Sequence, residues 1–394
     1  MKIAVFTDTY LPQTNGVVAY IHDAIGVLSK NHEIVLFAPG QGPMRTEKVN
    51  GNFRIHWIPS VPFPFYEGYR IASMDYRRIS AILRDETPDI VHAHAPINLG
   101  IQGVISATRN HIPTVITYHT HFPDYVPHLL NGKLPKPLRR LSEYTAKKFV
   151  KYMFRNADAV TAPTMELVQE LRSYGLRNVE YLPNGIDMRK LACSPKDIAA
   201  FKKANRIPKG KKIVLYLGRI SFEKRLDVLL ESFGMMERKD AVLVIAGGGP
   251  YIRNFKGLAQ TMGLKNVIFT GFVPDKQLGA AYACADAFAS ASDTETFGMT
   301  FVEAMRLGRP VVGVRRLGPK EIIEDGKTGI LVEPSNPSEL AKAMDMLLSD
   351  KKLRERMGNA GRRTAKRYTI EASVGMMMKT YNRLLERKVF ESTR

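Results

Sequence analysis

Acidic residues, cysteines and long apolar runs are all scarce in this chain. Against 58 Lys and Arg stand only 38 Asp and Glu, which leaves a formal charge of +20. The two cysteines, Cys193 and Cys284, lie far apart and have no motif partners. That excludes a disulfide framework and a cysteine metal site, and it points to a reducing compartment. No uninterrupted apolar run approaches the ~20 residues that span a bilayer. Met1 to Asp8 reads as a strand ending in a polar turn and not as a signal peptide. What remains is a chain of 394 residues with an ordinary hydrophobic fraction of 44%, enough for two or three domains with their own cores. The surplus of positive charge implies an acidic partner: nucleic acid, an anionic membrane surface or phosphorylated ligands. A generally basic proteome would give the same number.

Strand and helix patterns alternate over the first half. Strands are predicted at Lys2–Phe6, Glu33–Phe37, Phe53–Ile58, Ile90–His94, Thr114–Tyr118 and Ala159–Ala162, and helices at Val17–Ser29, Arg70–Arg84, Leu99–Arg109, Pro135–Arg155 and Met165–Tyr174. Such alternation predicts a parallel sheet covered on both faces, with ligands bound off the carboxyl ends of the strands. Asn15-Gly16, His94 and His119 lie at such ends. A polar, Lys-rich stretch from Pro195 to Lys212 reads as an inter-domain linker. The α/β pattern then restarts at Lys212, and Ile370 to Lys388 closes it as an amphipathic helix. The fold class is α/β, with domains at 1–188 and 189–371 and a C-terminal helix, 372–394, expected to pack back on the first.

The second domain holds the sharpest chemistry. Asp293-Thr-Glu-Thr-Phe-Gly-Met-Thr-Phe-Val-Glu-Ala-Met305 follows a small apolar strand and runs into a helix. Glu295 sits in the loop and Glu303 inside the helix, eight positions on. Phe297, Gly298, Met299 and Thr300 open the helix, where free N–H groups and the positive dipole end make a seat for phosphate. Acids beside an anion seat make sense when the ligand also carries hydroxyls, which carboxylates accept well. A nucleotide sugar has both. Strand Ile213–Leu217 ends in Gly218-Arg219, and Lys224 follows five positions after Arg219. A guanidinium fork and an ammonium suit a diphosphate. By themselves they would read as two solvated cations; the anion seat in the same domain favours the functional reading. Ala246-Gly-Gly-Gly-Pro250 lacks the Gly-x-Gly-x-x-Gly spacing and is weak as a motif. For Thr14-Asn15-Gly16 a phosphate contact and a plain turn are about equally good readings.

In Tyr118-His119-Thr-His121-Phe-Pro-Asp-Tyr125 the two histidines are separated by strand alternation, with no third ligand nearby, so metal is not expected. A histidine hydrogen-bonding a sugar or leaving phosphate fits better. Asp293-x-Glu295 likewise needs no metal, since cations stand beside it. Lys133 to Ala157 carries eight basic residues (among them Arg139, Arg140, Lys147 and Lys151) and one acid, with apolar residues at helical spacing. A core-facing helix with a solvated basic face is the default. Arg77 and Arg78 add a second basic helix, and Pro59 to Tyr69 adds an aromatic loop. Together they favour an anionic membrane surface.

These residues resemble the GT4 family of retaining glycosyltransferases in the GT-B superfamily, over essentially the whole chain. The resemblance rests on Glu295-x7-Glu303, Gly218-Arg-Ile with Lys224, and Pro183-Asn-Gly-Ile-Asp187. It implies two Rossmann-like domains with a deep cleft between them. It also implies Glu295 on donor-sugar hydroxyls, Glu303 on the ribose, Arg219 and Lys224 on the diphosphate, and the amides of Phe297 to Thr300 lining the donor pocket. His119 matches a histidine close to the reacting sugar. Gly16 matches one of two glycines near the diphosphate, the other being Asn15 here, and Val273, in Phe272-Val-Pro274, belongs to the loop that meets the base. Tyr118 to Tyr125 and the basic first domain are most similar to enzymes that glycosylate diacylglycerol, with Tyr10, Arg77, Arg78, Tyr125, Arg139, Arg140, Lys147 and Lys151 on the acceptor or membrane side.

The expectation is therefore a hexosyltransferase, with UDP-glucose the favoured donor, a membrane lipid such as diacylglycerol as acceptor, no bound cofactor, no metal and no nucleic-acid partner. It would be cytoplasmic and peripheral on the inner face of the membrane. A soluble sugar, sugar-phosphate or polysaccharide acceptor, or GDP-mannose as donor, is the runner-up. Nucleic-acid binding is disfavoured for want of a motif. A phosphorylase-like use of the fold is disfavoured by length and by the lack of a cofactor-lysine motif.

Overall fold

The computed structural model describes residues 1–13, 15–63, 69–94, 96–121 and 136–392. The chain divides into two units, Met1–Gly185 with Ile370–Arg394, and Ile186–Thr369. The cuts fall at 185 and 369, and the two crossing segments are tied together inside the second unit, where Ile186 N donates to Tyr368 O at 2.9 Å.

The first unit runs β1 (Lys2–Thr7), α1 (Gly16–Leu28), β2 (Glu33–Gly40), β3 (Arg45–Asn50), β4 (Phe53–Pro62), β5 (Arg70–Ala72), α2 (Tyr76–Glu86), β6 (Ile90–His94), α3 (Leu99–Arg109), β7 (Thr114–Thr117), α4 (Lys136–Phe154), β8 (Ala159–Ala162), α5 (Met165–Ser173) and β9 (Val179–Tyr181). Its sheet has the order β3-β4-β2-β1-β6-β7-β8-β9, with β5 on β4. All pairings are parallel except those of β3 and β5 with β4. The inner strands are apolar runs because both faces are covered. Phe6 and Phe37, for example, stack at 4.2 Å.

The second unit runs α6 (Pro195–Ala204), β10 (Lys212–Leu217), α7 (Leu226–Met235), β11 (Ala241–Ala246), α8 (Ile252–Thr261), β12 (Val267–Gly271), α9 (Asp275–Ala283), β13 (Ala287–Ala289), α10 (Met299–Arg306), β14 (Val311–Val314), α11 (Leu317–Ile322), β15 (Gly329–Val332), α12 (Pro337–Ser349) and α13 (Lys351–Ala365). Its sheet is parallel throughout, ordered β12-β11-β10-β13-β14-β15. The last helix, α14 (Ile370–Ser392), belongs to the first unit.

Two expectations fail. Arg70 to Arg84 is not one helix: Arg70–Ala72 pairs antiparallel with Pro62–Ser60, and the helix waits for its N-cap, Asp75, whose side chain accepts from Arg78 N at 3.1 Å. Pro195 to Lys212 is not a linker: Ser194 and Asp197 form a capping box, and α6 sends Phe201 into the core. Strand β3 was not expected because all six of its residues are exposed. Helix α13 was hidden by its glycines. Gly358 lets the helix press on residue 308, since a Cβ there would stand 2.2 Å from Gly308 O.

Candidate active site

In the second unit the motif loop leaves β13, at the carboxyl end of the sheet, and enters α10. Gly298 caps the helix at φ 92°, a left-handed conformation, and a Cβ there would meet the Phe301 ring at 2.9 Å. The loop is braced from β14–α11: Gly318 N donates to Glu295 O at 2.9 Å, and Arg316 Nη1 to Asp293 O at 2.9 Å. Gly318 can approach only without a side chain, because a Cβ would stand 2.0 Å from Phe297 O. The phenyl ring of Phe297 is core, packed edge-on to Tyr368 at 5.5 Å. Any donor contact it makes is therefore through its backbone. Met299 and Thr300 are half-buried in the first turn.

The charges predicted to converge do so in part. Lys224 Nζ lies 2.7 Å from Glu295 Oε1, each side chain one-fifth exposed. Asp293 is 3.7 Å from Arg225 Nη1. Glu303 accepts from Tyr282 Oη of α9 at 2.5 Å, and burial, followed by that carboxylate, holds the Tyr282 phenol well above its ordinary pKa. Tyr282 is thus a neutral donor that fixes one oxygen of Glu303. Tyr216 Oη does the same for the loop after β10, donating to Arg219 O at 2.9 Å. Neither tyrosine was flagged by the sequence: both lie in apolar stretches, and only the fold turns their hydroxyls to these partners. Gly247 and Gly249, at φ 143° and 155°, let β11's loop touch β10's: Cβ atoms there would stand 1.9 Å from Gly218 O and 2.2 Å from Ile220 O. Those glycines serve close loop packing. Val273 is half-buried beside an exposed Phe272, whose Cβ lies 3.9 Å from where a Cβ of Gly248 would be.

In the first unit, Gly16 is the exposed first residue of α1. Asn15 works as the N-cap, accepting from Val18 N at 2.9 Å. His119 follows β7 and is buried. A second and a third histidine stand beside it, both from β6. His94 Nδ1 is 2.9 Å from His119 Nε2, and the rings of His92 and His94 lie 4.0 Å apart. Burial holds His92 and His119 down at about 3, and His94 well below its usual value, so all three are neutral rings. His121 turns elsewhere, to Glu170 at 2.9 Å. No group of three His, Cys, Asp or Glu poised for a metal occurs among the described residues.

The acceptor-side residues divide. Tyr10 is buried, its hydroxyl 3.2 Å from His22 Nδ1, and so is not displayed on a surface. Arg77 and Arg78 are exposed on α2; Arg140, Lys147 and Lys151 are exposed on α4. Tyr125 lies outside the described residues, and so does the side chain of Arg139. Helix α4 buries Ala146, Val150 and Phe154 and leaves a second apolar stripe outside: Leu138, Leu141 and Tyr152 are 50%, 57% and 61% exposed, and Phe149 lies among them. At helical spacing the basic residues form the adjacent stripe.

Residues 197–364 match the model for glycosyl transferases group 1, and residues 14–190 that for glycosyltransferase family 4. The chain is 32% identical over 344 residues to the alpha-monoglucosyldiacylglycerol synthase of Streptococcus pneumoniae, covering 84% of this chain and 75% of that one. It is 29% identical over 335 residues to a GDP-mannose-dependent alpha-mannosyltransferase of Mycobacterium tuberculosis, covering 84% of each. Among solved structures, Anabaena HepE in complex with UDP-glucose superposes with a TM-score of 0.78 at 18% identity, over 97% of this chain and 99% of that one. Two parallel α/β units, the braced acid motif and these matches agree: the chain belongs to the family 4 glycosyltransferases and has the GT-B fold.

Proposed function

We propose that the protein transfers a hexose, with retention of anomeric configuration, from a nucleotide sugar to a membrane lipid such as diacylglycerol, and that UDP-glucose is the donor. The observation that carries the acceptor half is the outer face of α4, where exposed Leu138, Leu141, Phe149 and Tyr152 run beside Arg140, Lys147, Lys148, Lys151 and Arg155. A bilayer interface takes up such an apolar stripe and attracts such a basic one. No helix among the described residues is long and apolar enough to cross a membrane, and the association proposed is peripheral. The name of the pneumococcal relative supports a diacylglycerol acceptor. The mannosyltransferase relative keeps GDP-mannose as a second reading of the donor.

On this reading Arg219, Lys224 and the first turn of α10 bind the diphosphate. Glu295 takes hydroxyls of the transferred sugar, and Glu303, steadied by Tyr282, takes the ribose. His119 hydrogen-bonds the reacting sugar. The bond between the anomeric carbon and the phosphate oxygen breaks, and charge grows on the departing diphosphate. Fixed cations and amides stabilise that charge without reorganising. The acceptor hydroxyl attacks from the same face and gives its proton to the leaving phosphate oxygen. The products are the glycosylated lipid and a nucleoside diphosphate. Lys224 is paired with Glu295, and on this reading a diphosphate takes over the ammonium and leaves the carboxylate for hydroxyls.

Flotation with vesicles tests the membrane half. The wild type should float with vesicles rich in anionic lipid. Lys147→Glu with Lys151→Glu should weaken partitioning more than tenfold, since each basic residue near the surface contributes about 1 kcal/mol. Equal flotation of the two proteins would count against α4 as the contact.

A further inference from the structure

The histidine cluster is built with the C-terminal helix as one of its walls. Ser373 of α14 donates to Pro183 O at 2.7 Å, so the 2.9 Å bond between Ser373 Oγ and Tyr20 Oη must be donated by the tyrosine. The Tyr20 ring then stands edge-on to His119 at 5.4 Å. A second line starts at a carbonyl. Thr161 donates to Ile116 O at 3.4 Å, so Thr117 must donate to Thr161 Oγ1 at 2.7 Å. That leaves Thr117 to accept from His92 Nε2 at 2.6 Å, and the neutral His92 to accept on Nδ1 from Tyr381 Oη, also at 2.6 Å. His92 faces His94, and His94 bonds His119. Every hydroxyl proton on the two lines has one destination, and each line ties α14 to the His119 ring through a ring contact: Tyr20 against His119 in the first, His92 against His94 in the second.

Resting on the reading that His119 contacts the reacting sugar, we infer that α14 is part of the working site: Tyr381 and Ser373, through His92, His94 and Tyr20, are positioning residues that fix the ring of His119. The chemistry of the cluster favours positioning over packing alone. Apolar side chains would fill this space at less cost than five buried polar groups, each of which must find a partner. Helix α14 follows the second unit in the chain yet belongs to the first, so the helix that returns from the one unit holds a candidate residue of the other.

The test has two arms. In the first, kcat and KM are measured with UDP-glucose as donor and dioleoylglycerol in mixed micelles as acceptor. His94→Leu should lower kcat about a hundredfold, the size expected of a misplaced contact group, with donor KM nearly unchanged. His94→Asn, which keeps a polar atom where Nδ1 was, should recover most of that loss, and Tyr381→Phe should fall between them. A His94→Leu enzyme with wild-type kcat overturns the inference. In the second arm, ring-nitrogen spectra of 15N-histidine-labelled protein are compared, the His119 signals being assigned by His119→Gln. Tyr381→Phe should shift them; unmoved signals overturn the inference. Should the wild type turn over neither UDP-glucose nor GDP-mannose, the donor reading falls, and the second arm still decides the coupling.

Discussion

Lys224 and Glu295 pair at 2.7 Å, which makes each one's removal informative. Losing one electrostatic donor from such a site costs roughly two to three orders of magnitude in rate. Arg219→Ala, which loses such a donor, and Glu295→Ala, which loses the acceptor for the sugar hydroxyls, should all but abolish transfer while circular-dichroism melts stay close to wild type; wild-type-like turnover in either would sink the assignment. Tyr282→Phe makes a finer point. It removes one hydrogen bond to Glu303 and leaves the carboxylate in place. Donor KM should rise by roughly two- to tenfold, the size of a net hydrogen bond of about 0.5–1.5 kcal/mol, with kcat little changed. An unchanged KM would mean that Glu303 does not bind the donor. The two glutamates, Arg219 and Lys224 were legible because their chemistry is local to strand-end motifs. Tyr216, Tyr282 and His92 were not, because their meaning depends on which distant group each one meets. Tyr10, expected on the acceptor or membrane side, is buried and packed on His22 and Trp57, neighbours that the sequence does not reveal.

At the scale of elements, α10 depends on the left-handed turn at Gly298 before it. Gly298→Ala would put a methyl group into a left-handed residue and against Phe301. The protein should lose about 1–2 kcal/mol, read as a lower midpoint in chemical unfolding. An unshifted midpoint would show that the turn relaxes freely. Most strands and helices were readable because their apolar periodicity is strong and their ends carry Gly, Pro or a cap. The failures have physical causes. In Arg70 to Arg84 the helical pattern extended backward over a short edge strand. In Pro195 to Lys212 composition concealed a capping box. In α13 the small residues that permit close packing erase the apolar signal. Helix α4 was read correctly as basic and amphipathic, yet its periodicity could not say which apolar stripe faced the core; burial of Ala146, Val150 and Phe154 decides it.

At the scale of the whole molecule, three neutral buried histidines make stability depend on pH. His92 and His119, held at about 3 in the fold, recover an ordinary value near 6.5 when unfolded, so between those values only the unfolded chain binds their protons. Stability is lost as pH falls below about 6.5, by ~1.4 kcal/mol per pH unit for each such ring. His94→Asn removes one of the three rings, so its melting temperature should fall less steeply between pH 6.5 and 5 than that of the wild type; parallel curves would mean that His94 is not held neutral. The two-unit α/β architecture was accessible from alternation alone, and the family from one acid motif with its cations. The acceptor reading rests on Tyr118 to Tyr125 and on surface display, and which residues are displayed is not written in local sequence. The measurement that bears most directly on the central claim is transfer from radiolabelled UDP-glucose to diacylglycerol in anionic vesicles. The expected result is label in the organic phase as a glucosylated lipid, made by the wild type and not by Glu295→Ala. Label found only in water-soluble products would contradict it.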